Sequence, residues 1–119
     1  MRMWMVPPEE MCTTHLMGEH VELHMIAGTI TKNPNSTFFG YIAGNMMQIS
    51  ALQPRHESLV IEMRKRGFTH KTPFEPVNYQ GEGGKVDVAA SRREMSQRCF
   101  ACSKLQFKAG TYLGILNFT

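Results

Sequence analysis

The stretch HLMGEHVEL, residues 15–23, sets His15, Glu19, His20 and Glu22 on two turns of a helical pattern, with His24 directly after. Carboxylates and imidazoles in such proximity serve acid/base chemistry or hold a divalent cation. At 100° per residue, Cys12, Leu16, Leu23 and Ala27 share one apolar face. His15, Glu19 and Glu22 form an adjoining stripe, and His20 and His24 lie together on the other flank. The plainest reading of any one of these glutamates is a solvated helix side chain. Two further pairs have metal-ligand spacing: Cys12-x2-His15 and Cys99-x2-Cys102. Joined, they make a Cys3His zinc set that would clamp the tail to the first helix. A reduced C-x2-C without metal competes with that reading. A second metal set of His20, His24 and Glu19 lacks a clear further ligand.

Three helices must position these residues. The first is expected to begin after Pro7-Pro8, where proline fits the opening turn and Glu9 and Glu10 suit the positive end of the dipole. It is expected to run to about Ala27, with Gly28 as its stop. Residues 29–49 carry Asn-Pro-Asn and two glycines and read as irregular, with TFFGYIAG as a short buried segment. The second helix has Ser50 as N-cap, Pro54 early, and a stripe of Leu52, Leu59, Val60 and Met63. Arg64, Lys65 and Arg66 sit at its negative end before Gly67. A polar loop follows to Lys85. The third helix spans about Val88 to Arg98, capped by Asp87. The tail beyond is read as non-helical; its TYLGILNF has strand-like composition without a partner strand. The expected fold is mostly α, one compact three-helix domain over residues 1–119 with long irregular loops.

The chain has 119 residues and is 42% hydrophobic and 19% charged, which fits one globular domain and excludes a disordered chain. No apolar run approaches the ~18 residues of a membrane helix. The apolar patch Met3–Val6 is too short for a signal peptide, so an intracellular, cytoplasmic protein is expected. A net charge of +3 is compatible with a nucleic-acid partner without requiring one. Three cysteines argue against a secreted disulfide scaffold. The ten methionines read as adaptable core filling.

HLMGEHVEL followed by MIAGTITK, then TFFGYIAG, then LVIEMRKRGFTHKT, resembles the pyrimidine-dimer DNA glycosylase/AP lyase family of the small endonuclease V type. The similarity extends over about residues 1–98 in the same order. It implies an all-α repair enzyme, monomeric and without a required cofactor, acting on double-stranded DNA that holds pyrimidine dimers or abasic sites. Such enzymes attack the sugar C1′ with their own N-terminal α-amine, displace the base as an imine forms, and break the strand by β-elimination. Carried over, the amine falls on Met1, its neighbouring arginine on Arg2, the essential glutamate on Glu22, and a supporting histidine on His15. A second residue as large as Arg2 retains the initiator methionine, which keeps that spacing. An α-amine of pKa about 7.7–8 is far more available as free base than lysine, and a nearby cation such as Arg2 favours the neutral form further. Phosphate contacts are expected from Arg2, Lys32, Arg64, Lys65, Arg66, Arg92, Arg93 and Arg98.

Two arginines that the family places on the first helix are Val21 and Met25 here. RCFACSKLQF replaces the aromatic, basic C-terminal run, with Phe100 and Phe107 as aromatic stand-ins. Two competing readings follow. One is a non-enzymatic DNA-binding or zinc-stabilised accessory protein on the same fold. The other is a metal-dependent hydrolase centred on the His/Glu helix.

Overall fold

The structure is a computed structural model that describes residues 2–79, 81 and 83–111. Among these residues there are five α-helices and no strand: α1 (Thr13–Lys32), α2 (Phe39–Ala43), α3 (Leu52–Lys65), α4 (Val88–Arg98) and α5 (Phe100–Ala109), with 3-10 turns at Pro8–Glu10 and Ile49–Ala51. The mostly α class is as expected. The helix number is not, because the tail from Phe100 to Ala109 is helical rather than irregular. Most of TYLGILNF lies outside the described residues.

The first helix starts later and ends later than the sequence pattern indicates. Pro8–Glu10 form a separate 3-10 turn, and Cys12 is the extended N-cap of α1. Arg66 holds this break in place: its Nη2 donates to the carbonyls of Pro8 and Met11 at 3.1 and 2.6 Å. Gly28 does not stop the helix. Ile26, Ala27 and Ile30 continue the buried face past it, and their burial outweighs a glycine penalty of about 1 kcal/mol. Termination comes at Asn33, before Pro34, where the proline ring disfavours helical backbone. Helix α3 ends as its sequence indicates, at Arg66, with Gly67 in the left-handed region at φ 89°. Ser50 lies inside the preceding 3-10 turn rather than capping α3. Asp87 caps α4 by accepting the Ala90 N–H at 3.0 Å.

The core lies between α1 and α3, with the N-terminal segment threaded beside them. Met3, Trp4 and Val6 are buried with Leu16, Leu23, Ile26, Leu59 and Met63. Two hydrogen bonds fix the start of this stretch. Met3 N–H donates to the Met46 carbonyl at 2.7 Å, and the buried Ser91 hydroxyl of α4 donates to the Trp4 carbonyl at 2.7 Å. Five of the methionines, at 3, 11, 47, 63 and 95, fill the core, as their adaptable side chains favour. Helices α4 and α5 close over the Pro8–Glu10 turn, where buried Glu10 accepts from Arg92 at 3.2 Å and from Thr111 at 2.6 Å.

Glu19 is not a solvated helix side chain. It is 1% exposed and receives two hydrogen bonds from Arg55 of α3, Nε at 2.7 Å and Nη2 at 2.9 Å. Both partners are buried, so removing one strands a charge in the core. Glu19→Ala is therefore expected to destabilise the protein by about 3–5 kcal/mol. Glu19→Leu combined with Arg55→Met is expected to regain much of that loss. Urea unfolding of the three proteins checks this; equal stability of the single variant and the parent would remove the pair from its structural role.

Candidate functional site

Glu22 stands three residues beyond Glu19, at the edge of the buried face of α1 and half-buried. Its Oε2 accepts the backbone N–H of Arg2 at 3.1 Å. The carboxylate is thereby held against the first described residue of the chain. Met1 lies outside the described residues.

Arg2 is itself fixed. Its Nη1 donates to Glu94 of α4 at 2.8 Å, and its guanidinium lies 3.7 Å from the Trp4 ring centroid. Cation–π contact and ion pairing together hold the side chain over the N-terminal segment. Glu94 also pairs with Arg98 at 3.0 Å. The His15 ring meets Trp4 edge-on at 5.5 Å. Glu22, Arg2, Trp4, Glu94 and His15 thus form one polar rim on the start of the chain. Beside it, Gly18 is exposed and one turn before Glu22; a Cβ there would meet nothing within 4 Å. Nothing inside the molecule demands a glycine at this point, and its absence of side chain leaves the rim open.

His15 turns its Nδ1 toward cysteines. Nδ1 lies 3.3 Å from Cys12 Sγ and 3.5 Å from Cys102 Sγ, and Cys12 Sγ lies 3.7 Å from Cys99 Sγ. Among the described residues no hydrogen bond joins His15 to Glu22. Burial, then Arg2 and Arg98, push the His15 pKa down and keep the ring neutral. The sulfurs are unpaired thiols at a separation far beyond the ~2.05 Å of a disulfide. Tetrahedral zinc, with Zn–S ~2.3 Å and Zn–N ~2.0–2.1 Å, requires S···S near ~3.8 Å and S···N near ~3.5 Å. The observed spacings fall close to both values. The four donor atoms lie within 4.8 Å of one another. Two helix N-termini converge here, since Cys12 caps α1 and Cys99 caps α5, and positive helix ends favour thiolate. Backbone N–H groups add to this: Cys12 N–H donates to Cys102 Sγ at 3.2 Å and Cys102 N–H to Cys99 Sγ at 3.4 Å. For Cys99, burial raises the thiol pKa, but hydrogen bonds from Cys102, Cys12 and Ala101 bring it below its usual value. Burial pushes the Cys102 thiol up. These four residues can hold zinc.

A model of the family described as pyrimidine dimer DNA glycosylase matches residues 1–76. The chain belongs to that family. No curated protein and no solved structure matches it. The pyrimidine dimer DNA glycosylase match contains α1, α3 and the Glu22–Arg2 contact. It ends before α4 and α5, which supply Glu94, Cys99 and Cys102. No helix among the described residues is long and apolar enough to cross a membrane.

The cations expected to meet phosphate differ in surroundings. Lys32, Arg64, Lys65 and Arg93 are exposed and make no ion pair among the described residues. Arg98 is exposed but paired with Glu94, and Arg92 is paired with Glu10 at 3.2 Å. Arg66 is engaged fully. Beyond the two carbonyls, its Nε donates to Glu62 at 2.9 Å and its Nη1 to Thr13 at 3.3 Å. Arg55 went unread in the sequence because a lone arginine within a helix carries no mark of its buried partner. Val21 and Met25 project from α1 at 54% and 52% exposure, and Phe100 and Phe107 from α5 at 78% and 72%. The two phenylalanines are surface aromatics rather than core.

Arg66→Ala is expected to cost about 2–3 kcal/mol, the scale of charge-assisted hydrogen bonds with carbonyls left unpartnered. Lys65→Ala should stay within about 0.5 kcal/mol of the parent. Denaturant melts distinguish the two positions; equal losses would contradict the division between a structural and a solvent-facing cation.

Proposed function

We propose that the protein is a DNA-repair glycosylase with AP lyase activity, excising cyclobutane pyrimidine dimers through an imine formed by the α-amine of Met1. The observation that supports this best is the Glu22 carboxylate bonded to the Arg2 backbone N–H at 3.1 Å. Met1 is covalently next to that nitrogen, so the carboxylate stands within a residue of the amine that the family resemblance assigns as nucleophile. The neutral amine attacks C1′ and the base departs as the C1′–N bond breaks. Glu22 stabilises the positive charge that develops on the sugar and the iminium, and carries protons during ring opening. Loss of the C2′ proton and rupture of the C3′–O bond then cut the strand and leave a conjugated imine. Arg2 supports this site through its backbone and its cation rather than as a mobile phosphate ligand. Turning a nucleotide out of the duplex costs about a few kcal/mol and is easier at a lesion. The open surface at Gly18 gives the displaced backbone room beside Glu22.

Phosphate contact falls mainly to Lys32, Arg64, Lys65 and Arg93, whose exposure leaves them available. Phe100 and Phe107 offer the aromatic faces on which bases stack. His15 acts in this reading through the Cys3His set, holding α1 against α5, and its nearness to Trp4 links that clamp to the rim. Zinc is the metal that four such donors favour, and its role is structural because all four positions are protein ligands. The accessory-protein reading shares this clamp and lacks the imine.

Borohydride trapping on UV-irradiated and abasic duplexes is expected to give a covalent protein–DNA adduct that vanishes when the N-terminus is acetylated. Absence of adduct on both substrates would leave the non-enzymatic reading standing. Glu22→Gln keeps the acceptor for Arg2 and should reduce strand cleavage at least a hundredfold with little change in DNA affinity; unimpaired cleavage would refute its assignment. Lys65→Ala should weaken binding to all sequences alike and lower the salt slope by about one. Gly18→Ala is expected to stabilise α1 by up to about 1 kcal/mol while weakening binding to the lesion duplex.

A further inference from the structure

The clearest unassigned feature is on the far flank of α1 from Glu22. His20 and His24 of α1 meet His56 of α3 and His70 of the segment after α3. Together with His15 these are all five histidines of the chain. Ring centroids of the four lie 4.8–5.0 Å apart, except His24–His70 at 6.4 Å. One nitrogen from each lies within 4.8 Å of the others.

The nitrogens have few other partners. His24 Nε2 and His56 Nε2 face each other at 3.2 Å. His20 Nε2 and His70 Nε2 are buried with no hydrogen-bond partner. Buried imidazole nitrogens left unpaired are costly, and two in one cluster are unusual. Tetrahedral coordination at ~2.0–2.1 Å needs N···N separations near ~3.4 Å, which the His24–His56 distance approaches. The remaining nitrogen of His56 is also accounted for. Its Nδ1 lies 3.1 Å from Glu57 Oε1, the carboxylate–imidazole arrangement that orients metal-bound histidines. His20 and His24 are four residues apart, so α1 presents both from one face. Phe74 packs against the His24 and His56 rings at 5.4 and 4.8 Å and gives the cluster an apolar wall. Burial, and then neighbouring imidazoles, lower the pKa of His20 to about 4. The ring stays neutral, the form that ligates.

We infer that His20, His24, His56 and His70 form a second metal site, distinct from the Cys3His set, that takes a borderline divalent transition ion such as zinc. An all-imidazole donor set selects that class over calcium or magnesium, which require oxygen ligands. The site is closed by four protein ligands and is structural. Glu22 lies between His20 and His24 in sequence, yet its carboxylate is held by Arg2 on another side of the helix. The carboxylate beside the cluster, Glu57, is engaged with His56 Nδ1, the nitrogen turned away from the ligating Nε2, which separates this cluster from a hydrolase centre. Glu19, the ligand that the sequence pattern offered with His20 and His24, is bound to Arg55 instead. The ion would tie α1, α3 and the segment that follows α3.

Cobalt(II) distinguishes the two clusters, because only thiolate ligands give a near-ultraviolet charge-transfer band. Chelator-stripped, reduced full-length protein titrated with cobalt(II) is expected to bind one equivalent without that band, besides any that carries it. His70→Asn and His24→Asn should each weaken the band-free equivalent at least tenfold and leave the charge-transfer band unchanged. Because His70 lies on a non-helical segment, its variant tests the site even if His24→Asn fails to fold. Binding only with the charge-transfer band, or a band-free equivalent that persists undiminished in His70→Asn, would overturn the site.

Discussion

The buried Glu19–Arg55 pair fixes how α1 is rotated against α3, and every functional cluster inherits that rotation. Glu19 sits within the buried arc of α1, between Ile26 on one side and Leu23 and Ile30 on the other. Two charges cannot be left in this interior, so the helix cannot roll without breaking a bidentate contact. With Glu19 aimed at α3, the 100° step sends His20 and His24 to one flank, toward His56 and His70. It sends Glu22 and His15 to the other, toward the N-terminal segment. An apolar residue at position 19 would pack as well but would tolerate sliding; the pair specifies one arrangement.

Two convergent donor sets then occupy opposite flanks of the same helix. Between them they use all three cysteines and all five histidines of the chain. Residues of these types scattered by chance would be found in part on the surface or alone. The sets also join elements that are otherwise weakly bound. Helix α5 buries only Cys102 and Gln106, and from Thr69 to the start of α4 the described residues form no helix or strand. Metal ligation at both places would tie down elements whose own apolar burial is small.

Local chemistry was readable where it acts locally. The Asp87 cap, the Gly67 stop and the stripe of α3 each depend on residues within a few positions, and the structure has them. The ends of α1 depend on distant groups. Arg66 breaks the chain before Cys12, and core burial carries the helix through Gly28. Helix α5 has no apolar stripe to announce it, since its phenylalanines face solvent and its buried residues are a cysteine and a glutamine. Of the donor sets, the cysteine one was visible as two spaced pairs. The histidine one was half visible: His20 and His24 mark a helix face, but His56 and His70 stand singly in unrelated contexts. Arg55 is hidden for the same reason, and without its partner Glu19 reads as a solvated helix side chain.

A chain terminus ordinarily frays, which is incompatible with using its amine as a nucleophile. Here the segment from residue 3 to residue 6 lies in the core, and three hydrogen bonds, from Arg2 to Glu22, Met3 to Met46 and Ser91 to Trp4, fix the backbone. Trp4 contributes twice, anchoring the segment and stacking on Arg2. Its edge contact with His15 connects this anchor to the cysteine cluster. Ligation of His15 would hold the ring against Trp4, and through Trp4 the Arg2 backbone against Glu22. Part of this fixation comes from α4, through Ser91 and Glu94, which lie beyond the matched family segment. Loss of Cys99 and Cys102 should therefore loosen the N-terminal segment as well as α5.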